Sequence, residues 1–261
     1  MLLENKNAVI YGGGGSIGGA VARAFAREGA RVFLAGRTRE NLETVADDII
    51  AAGGSAEVAV LDALDEQAVD EHARSVASQA GSIDVSFNLV TRGDVQGIPL
   101  VEMPVEEFTR PITTGITTNF ITARAAARHM IERGSGVILA LDSGSSKGSS
   151  MMGGTGPADA AIDTFVRNLA AEIGPRGVRV LGIWTAGLPE TFSREKLAEV
   201  DSKFQDDTVV QGLIENLDQM RMTRRSPRLE EVAATAAFLA SDSAGAITGT
   251  FVNVTSGMFP S

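Results

Sequence analysis

Short apolar runs alternate along the chain with longer segments in which apolar residues recur every three or four positions. The short runs are apolar at consecutive positions, which is typical of strands covered by helices on both faces. The longer segments have the spacing of amphipathic helices, so the order is that of successive βαβ units. We predict strands at 8–11, 32–35, 57–61, 85–90, 137–141, 178–185 and 251–254, and helices at 20–28, 40–52, 66–80, 108–133, 159–173 and 229–239.

This alternation predicts an α/β fold with a doubly wound parallel sheet. The chain has 261 residues, 44% of them hydrophobic, which is enough for one large core. No linker, composition break or repeat divides it, so residues 1–261 are predicted to form a single domain. One region, about 189–228, is polar with two short apolar stretches. We predict a pair of helices there, inserted as a lid that closes over a ligand.

The first predicted strand runs into a series of glycines that leads into the first helix. Glycine adopts positive φ freely and lets the backbone approach a pyrophosphate, whose charge is favoured at a helix N-terminus. A G-x-G-x-x-G pattern falls on Gly13, Gly15 and Gly18. Because a strand precedes the glycines and a helix follows them, the pattern favours a dinucleotide phosphate site. The alternative is a flexible turn without a ligand.

Charge and composition exclude several classes of function. The net charge of −10 disfavours nucleic acids as partners, and the absence of cysteine excludes disulfides and thiolate chemistry. His72 and His129 lie on separate segments and are interpreted as helix-surface residues, so no metal is predicted. The first strand begins near Met1, and no apolar run reaches the ~20 residues of a membrane span. We expect a cytoplasmic protein that has no membrane partner.

Several motifs resemble those of the short-chain dehydrogenase/reductase superfamily from end to end of the chain. Tyr11-Gly12-x-x-x-Ser16-Ile17-Gly18 stands where that family has T-G-x-x-x-G-x-G, and Ala186-Gly187-Leu188-Pro189-Glu190-Thr191 stands where it has P-G-x-x-x-T. The resemblance implies a Rossmann-type fold of about seven parallel strands that binds NAD(H) or NADP(H). The implied cofactor-binding residues are Gly12, Gly15, Ser16, Ile17, Gly18, Arg37, Thr38, Asp62, Asn88, Gly187 and Thr191.

The end of the second strand predicts which dinucleotide binds. A carboxylate at this position of a Rossmann site selects NAD, whereas a nearby arginine accommodates the 2′-phosphate of NADP. The strand ends in Gly36, Arg37 and Thr38, with glycine where NAD-type relatives carry aspartate. Arginine has the charge and the fork of donors that a phosphate requires. We therefore predict NADP as the cofactor; the alternative is a solvated arginine.

The resemblance also implies catalysis by asparagine, serine, tyrosine and lysine, of which this chain retains one. Ser143 matches the serine, whereas the tyrosine and lysine positions fall on Thr155 and Asp159 and the asparagine position on Gly115. Tyr11 is the only tyrosine and belongs to the glycine turn, so no tyrosine can act as the acid. We predict Ser143, Thr155 and Asp159 as the catalytic residues, with the proton coming from water, Asp159 or the substrate. Asp142 and Lys147 are the other nearby titratable groups.

Three functions remain open on this basis. The first is a divergent NADP-dependent oxidoreductase that reduces an activated C=C, an imine or a carbonyl. The others are a silent NADP(H)-binding sensor or structural partner, and a non-redox cyclase or isomerase. Residues 151–154, two methionines and two glycines, favour an apolar small-molecule substrate. The resemblance implies a homotetramer or homodimer joined through helices 108–133 and 159–173, in which we expect small residues to permit close approach: Ala123, Ala125, Ala126, Ala127, Ala160 and Ala161.

Overall fold

Seven parallel strands form the single sheet of the computed structural model, which describes residues 1–192 and 206–259. The strands are β1 (Asn7–Tyr11), β2 (Arg31–Gly36), β3 (Ser55–Val60), β4 (Val85–Asn88), β5 (Gly136–Asp142), β6 (Val178–Trp184) and β7 (Phe251–Asn253). Their spatial order is β3-β2-β1-β4-β5-β6-β7, and every neighbouring pair is parallel. The predicted doubly wound parallel sheet is therefore confirmed.

Helices cover both faces of the sheet, because each crossover between parallel strands returns over one face. They are α1 (Ser16–Arg27), α2 (Arg39–Ala51), α3 (Glu66–Ala80), α4 (Val105–Arg133), α5 (Thr155–Ile173), α6 (Asp207–Gln219) and α7 (Leu229–Ala240). One apolar core lies between the sheet and α1, α2 and α7, and a second lies between the sheet and α3, α4 and α5. The short apolar runs are strands because both of their faces are buried.

Three helices begin at least three residues earlier than the apolar spacing indicates. Helices α1, α4 and α5 begin at Ser16, Val105 and Thr155, whereas the predicted starts are 20, 108 and 159. The first turn of α5 contains Gly156 and Pro157, which carry no apolar periodicity. Proline is tolerated there because the first N–H groups of a helix have no partner within the helix. In the predicted lid, the structure contains a short turn at Pro189–Thr191 and helix α6, while 193–205 lie outside the described residues.

The alanines of α4 do not have the role that we predicted for them. Ala123, Ala125, Ala126 and Ala127 are at most 5% exposed and belong to the core between α4 and its own sheet. Their small size brings the helix close to the strands of the same chain, so they are not available to a second subunit. On α5, Ala160 is exposed and Ala161 is half-buried. None of the helices in the described ranges is long and apolar enough to span a bilayer.

Candidate cofactor and substrate site

A crevice follows the carboxyl ends of the strands at the point where the strand order reverses, between β1 and β4. Crossovers leave this point in opposite directions, which opens the crevice in doubly wound sheets. Two cavities lie along it and share Leu89, Val90 and Thr91. We call the cavity beside Gly12 and Arg37 the β2-side cavity, and the cavity beside Asn88 and Ser143 the β5-side cavity. Because the two cavities adjoin, the crevice is elongated and suits an elongated ligand.

Glycine is required by the geometry of the turn between β1 and α1. Gly12 has φ of +79°, and a Cβ there would lie well inside contact distance of the Leu89 carbonyl oxygen. A Cβ at Gly18 would overlap the carbonyl oxygen of Gly12, so α1 packs directly against the turn. Gly15 is the N-cap of α1 and supplies no side chain, which leaves the first N–H groups of the helix facing the crevice. This cradle fits the pyrophosphate of a dinucleotide.

Among the described residues, the β2-side cavity has one cation and one carboxylate in its lining. Arg37 is exposed and forms no ion pair within the part of the chain that the structure describes. The carboxylate is Asp62, whose Oδ1 accepts a hydrogen bond from the Leu64 N–H at 3.0 Å. Of the predicted cofactor-binding residues, this cavity is lined by Gly12, Gly15, Arg37, Thr38 and Asp62. Ser16 and Gly18 line neither cavity.

The remaining predicted cofactor-binding residues line the β5-side cavity together with Ser143; they are Ile17, Asn88, Gly187 and Thr191. Asn88 is fixed on both sides: its Nδ2 donates to Thr118 Oγ1 at 3.0 Å, and its Oδ1 accepts from the Val90 N–H at 3.1 Å. The Thr191 hydroxyl donates to the Leu188 carbonyl at 2.7 Å. Nine of the eleven predicted cofactor-binding residues therefore line one of the two adjoining cavities.

Asp159 lies below the β5-side cavity and lines neither cavity. Its side chain is fully buried and forms an ion pair with Arg92, whose Nη1 donates to Oδ1 at 2.8 Å. The second oxygen accepts from the hydroxyls of Ser143 and Ser145 at 2.6 and 2.8 Å, and from their N–H groups at 3.2 and 3.0 Å. Because both oxygens are already engaged, Asp159 holds Ser143 in place.

Arg92 is the residue of this site that the sequence reasoning missed. It lies in the loop after β4, lines the β5-side cavity, and also forms an ion pair with Asp94 at 3.0 Å. A Cβ at Gly115 would lie 2.8 Å from Arg92 Cδ, so the glycine makes room for the arginine. Asp159 was the sequence signal that could have indicated such an arginine, because a buried carboxylate requires a cation or several hydrogen-bond donors.

Thr155 is the first residue of α5 and is only 1% exposed. Gln96 Nε2 lies 3.4 Å from its hydroxyl, and Thr155 lines neither cavity. Residues 151–154 are likewise absent from both linings. Of the three predicted catalytic residues, the structure therefore joins Ser143 and Asp159 by a hydrogen bond and places Ser143 alone on the cavity.

Asp142 is a second buried carboxyl group, and it does line the β5-side cavity. Its Oδ1 accepts from the Gly144 N–H at 2.9 Å, whereas no group in the described ranges bonds to Oδ2. Burial raises the pKa of Asp142 to about 9, and the carboxylates of Asp159 and Asp163 add to this effect. The side chain therefore carries a proton at neutral pH.

Tyr11 ends β1 and is 1% exposed. Burial raises the pKa of its hydroxyl, with a smaller contribution from the Asp70 carboxylate. Its ring contacts His72, which is half-buried against it and not on the helix surface as predicted, and burial lowers the pKa of that histidine. No cluster of three metal-ligating side chains occurs within 1–192 or 206–259. The only tyrosine thus lies beside the glycine turn, away from Ser143.

Comparison with known proteins defines the class to which this crevice belongs. The sequence model of a family described as enoyl-(acyl carrier protein) reductase matches residues 13–259. An uncharacterized oxidoreductase of Bacillus subtilis is 31% identical over 98% of this chain and 92% of its own length. The L-rhamnose 1-dehydrogenase (NAD(P)(+)) of Azotobacter vinelandii is 29% identical over 99% of this chain and 98% of its own.

A solved structure agrees with these relatives. The NAD⁺-bound xylitol dehydrogenase superposes with a TM-score of 0.86 at 27% identity, covering 98% of this chain and all of that one. By their names these proteins are dehydrogenases and an oxidoreductase, and two of the names include NAD⁺ or NAD(P)⁺. The chain belongs to the short-chain dehydrogenase/reductase superfamily and is an oxidoreductase of that family.

Proposed function

We propose that this chain is an NADP(H)-dependent oxidoreductase that reduces an activated C=C, an imine or a carbonyl without a tyrosine acid. The observation that carries the cofactor preference is Arg37, which lines the β2-side cavity at the end of β2 beside Gly36, with no acid at that strand end. A guanidinium in this position favours a 2′-phosphate, and a carboxylate would be needed to favour the ribose hydroxyl of NAD.

The other cofactor-binding residues divide between the two cavities. Gly12, Gly15 and the N-terminus of α1 would hold the pyrophosphate, and Asp62 would lie beside the adenosine. Gly187 and Thr191 would lie beside the nicotinamide in the β5-side cavity. When bound, the cofactor supplies or accepts a hydride. The names of relatives do not decide between dinucleotides, since one mentions both and the other was solved with NAD⁺.

Calorimetric titration with both cofactors tests the preference. We expect NADP(H) to bind at least tenfold more tightly than NAD(H), a difference of about 1.4 kcal/mol. Arg37→Ala should abolish the difference in affinity. The double variant Gly36→Asp with Arg37→Ala should bind NAD(H) more tightly than NADP(H). The fold accommodates this second change, because a Cβ at Gly36 would lie 3.5 Å from the Leu42 side chain, an ordinary contact. Equal or tighter binding of NAD(H) to the unmodified protein would refute the preference.

The reaction is supported by what the β5-side cavity contains and lacks. Ser143 lines it and can orient an electronegative substrate atom, while Thr155 is covered by Gln96. Reduction of an activated C=C accords with the description of the matching family. Oxidation of NADPH should be recorded against enones, imines and carbonyl compounds. Tight cofactor binding without turnover of any of these compounds would favour the alternatives, which are a sensor or structural partner and a non-redox cyclase or isomerase. The absence of a tyrosine acid is the observation that supports these alternatives.

A further inference from the structure

The β5-side cavity contains a carboxyl group that the predicted catalytic set does not use. Asp142 ends β5, lines the cavity and is 2% exposed. One of its oxygens accepts a bond from the Gly144 N–H, and the other is buried without a partner among the residues that the structure describes. A buried polar atom in this condition is rare and calls for a proton, a water or a ligand.

A second unpaired polar group lies at the end of the adjacent strand. The hydroxyl of Thr185 is buried, lines the same cavity, and bonds to no other described side chain or backbone group. The Thr185 N–H donates to the Asp142 carbonyl at 2.9 Å, so the two strand ends lie side by side. Two unpaired polar side chains that converge on one cavity are typical of a site that binds a polar ligand group.

The charges around Asp142 favour its protonated form. Asp159 and Asp163 face it from α5, and Arg92, itself paired with Asp94, faces it from the loop after β4. Burial and the two carboxylates raise its pKa to about 9, against the opposing effects of the Gly144 N–H and Arg92. The titratable group of β6 is Arg179, near the start of the strand, and it donates to the carbonyls of Leu239, Ser241 and Ile247. Lys147 is exposed, with its Nζ over the Trp184 ring.

We infer that Asp142 is a catalytic residue of this site and that its carboxylic acid donates the proton that accompanies hydride transfer to the substrate. The inference rests on the proposed function. A cofactor held beside Gly187 and Thr191 would supply the hydride, which the electrophilic carbon of the substrate double bond would receive. The O–H bond of Asp142 breaks as its proton goes to the atom that receives the electron pair of that double bond. Asp142 remains as a carboxylate until water reprotonates it.

In this arrangement Asp159 is a positioning residue and not the acid. It fixes the Ser143 hydroxyl at 2.6 Å, and Arg92 occupies its other oxygen at 2.8 Å. Asp142 differs from Asp159 in two respects that an acid requires: it lines the cavity, and one of its oxygens has no donor among the described residues. An acid must be able to reach the substrate and must hold a proton at the working pH.

Proton release on cofactor binding tests the inference without any substrate. The positive charge of an oxidised nicotinamide favours ionised Asp142, whereas the neutral reduced form does not. Calorimetry at pH 8 in buffers of different ionisation enthalpy should therefore detect release of up to about one proton per NADP⁺ bound and none for NADPH. Both cofactors carry the same 2′-phosphate, so protons exchanged at that phosphate cancel in this comparison.

Two variants connect the released proton to Asp142. Asp142→Asn should bind NADPH within about threefold of wild type and release no proton with NADP⁺. Asp163→Asn is the matched control: Asp163 is buried but lines neither cavity, and its removal should shift the release to lower pH without abolishing it. If the wild type binds both cofactors without this difference, or Asp142→Asn retains it, the inference is overturned and the proposed function stands. If neither cofactor binds, the proposed function fails and the inference with it.

Discussion

Replacing Arg92 by alanine tests whether the ion pair with Asp159 is essential to the fold around the site. The Asp159 side chain is fully buried and that of Arg92 is 12% exposed, so the change leaves a carboxylate in the interior without its cation. Breaking a buried pair in this way costs about 3–5 kcal/mol. Because Ser143 and Ser145 still donate to Asp159, we expect the lower end, about 3 kcal/mol. For a chain of this size the melting temperature should fall by roughly 6–12 °C.

Urea unfolding and calorimetry of a double-mutant cycle provide the measurement. Asp159→Asn keeps an oxygen that can accept from the serines, so Arg92→Ala combined with Asp159→Asn should be more stable than Arg92→Ala alone. Asp94→Asn is the matched control. It removes the other, partly exposed partner of Arg92 and should cost no more than about 1 kcal/mol. A loss below about 1 kcal/mol for Arg92→Ala, or no recovery in the double variant, would refute this account of the pair.

Four further outcomes follow from the structure. Gly18→Ala should destabilise the fold and weaken dinucleotide binding, whereas Gly212→Ala, whose Cβ would meet open space inside helix α6, should add about 0.4–1 kcal/mol of stability; equal melting temperatures of the two variants would contradict this. The pKa of Asp142 is raised in the folded protein, so between about pH 4 and pH 9 the native state holds a proton that the unfolded state has lost. Urea titrations should therefore show that the wild type loses stability relative to Asp142→Asn as the pH rises over this range. Parallel curves of unfolding free energy against pH for the two proteins would disprove this. Because the only tyrosine lies in the glycine turn, reduction of simple ketones should depend on Asp142, and Asp142→Asn should lower its rate by about 10²–10⁴-fold in a NADPH assay; a variant that keeps the wild-type rate would contradict this. Light scattering at micromolar concentration should show a dimer or tetramer that Phe120→Glu weakens, because Phe120 is 46% exposed on α4; a wild-type monomer would exclude this assembly.

The fold could be predicted from the sequence because its signals are local. The apolar runs at 8–11 and 32–35 are short and continuous, and the observed strands β1 and β2 extend them by one or two residues. The glycine turn and the end of β2 could also be predicted, because the positions of Gly12 and Arg37 in the cavity follow from the path of the backbone. Family motifs then located the strand ends of the β5-side cavity.

The electrostatics of the site could not be predicted in the same way. Arg92 and Asp159 are separated by 67 residues in sequence, and no periodicity connects a loop arginine with a helix aspartate. The role proposed for Asp142 depends on the strand face that it occupies and on the lack of a donor for one oxygen within 1–192 and 206–259, both of which are tertiary properties. The alanines of α4 misled for the same reason, because small residues look alike whether they face a sheet or a second subunit.

The position of Trp184 gives the protein an optical probe of its own site. It is the only tryptophan in the chain, it ends β6 immediately before Thr185, and its indole N–H donates to Asp163 at 3.2 Å. Its ring stacks on Phe251 at 5.9 Å between centroids. Emission excited selectively in this indole therefore originates from one residue beside the β5-side cavity. Energy transfer from it to a reduced nicotinamide would report occupancy of that cavity in an unlabelled protein, variant by variant.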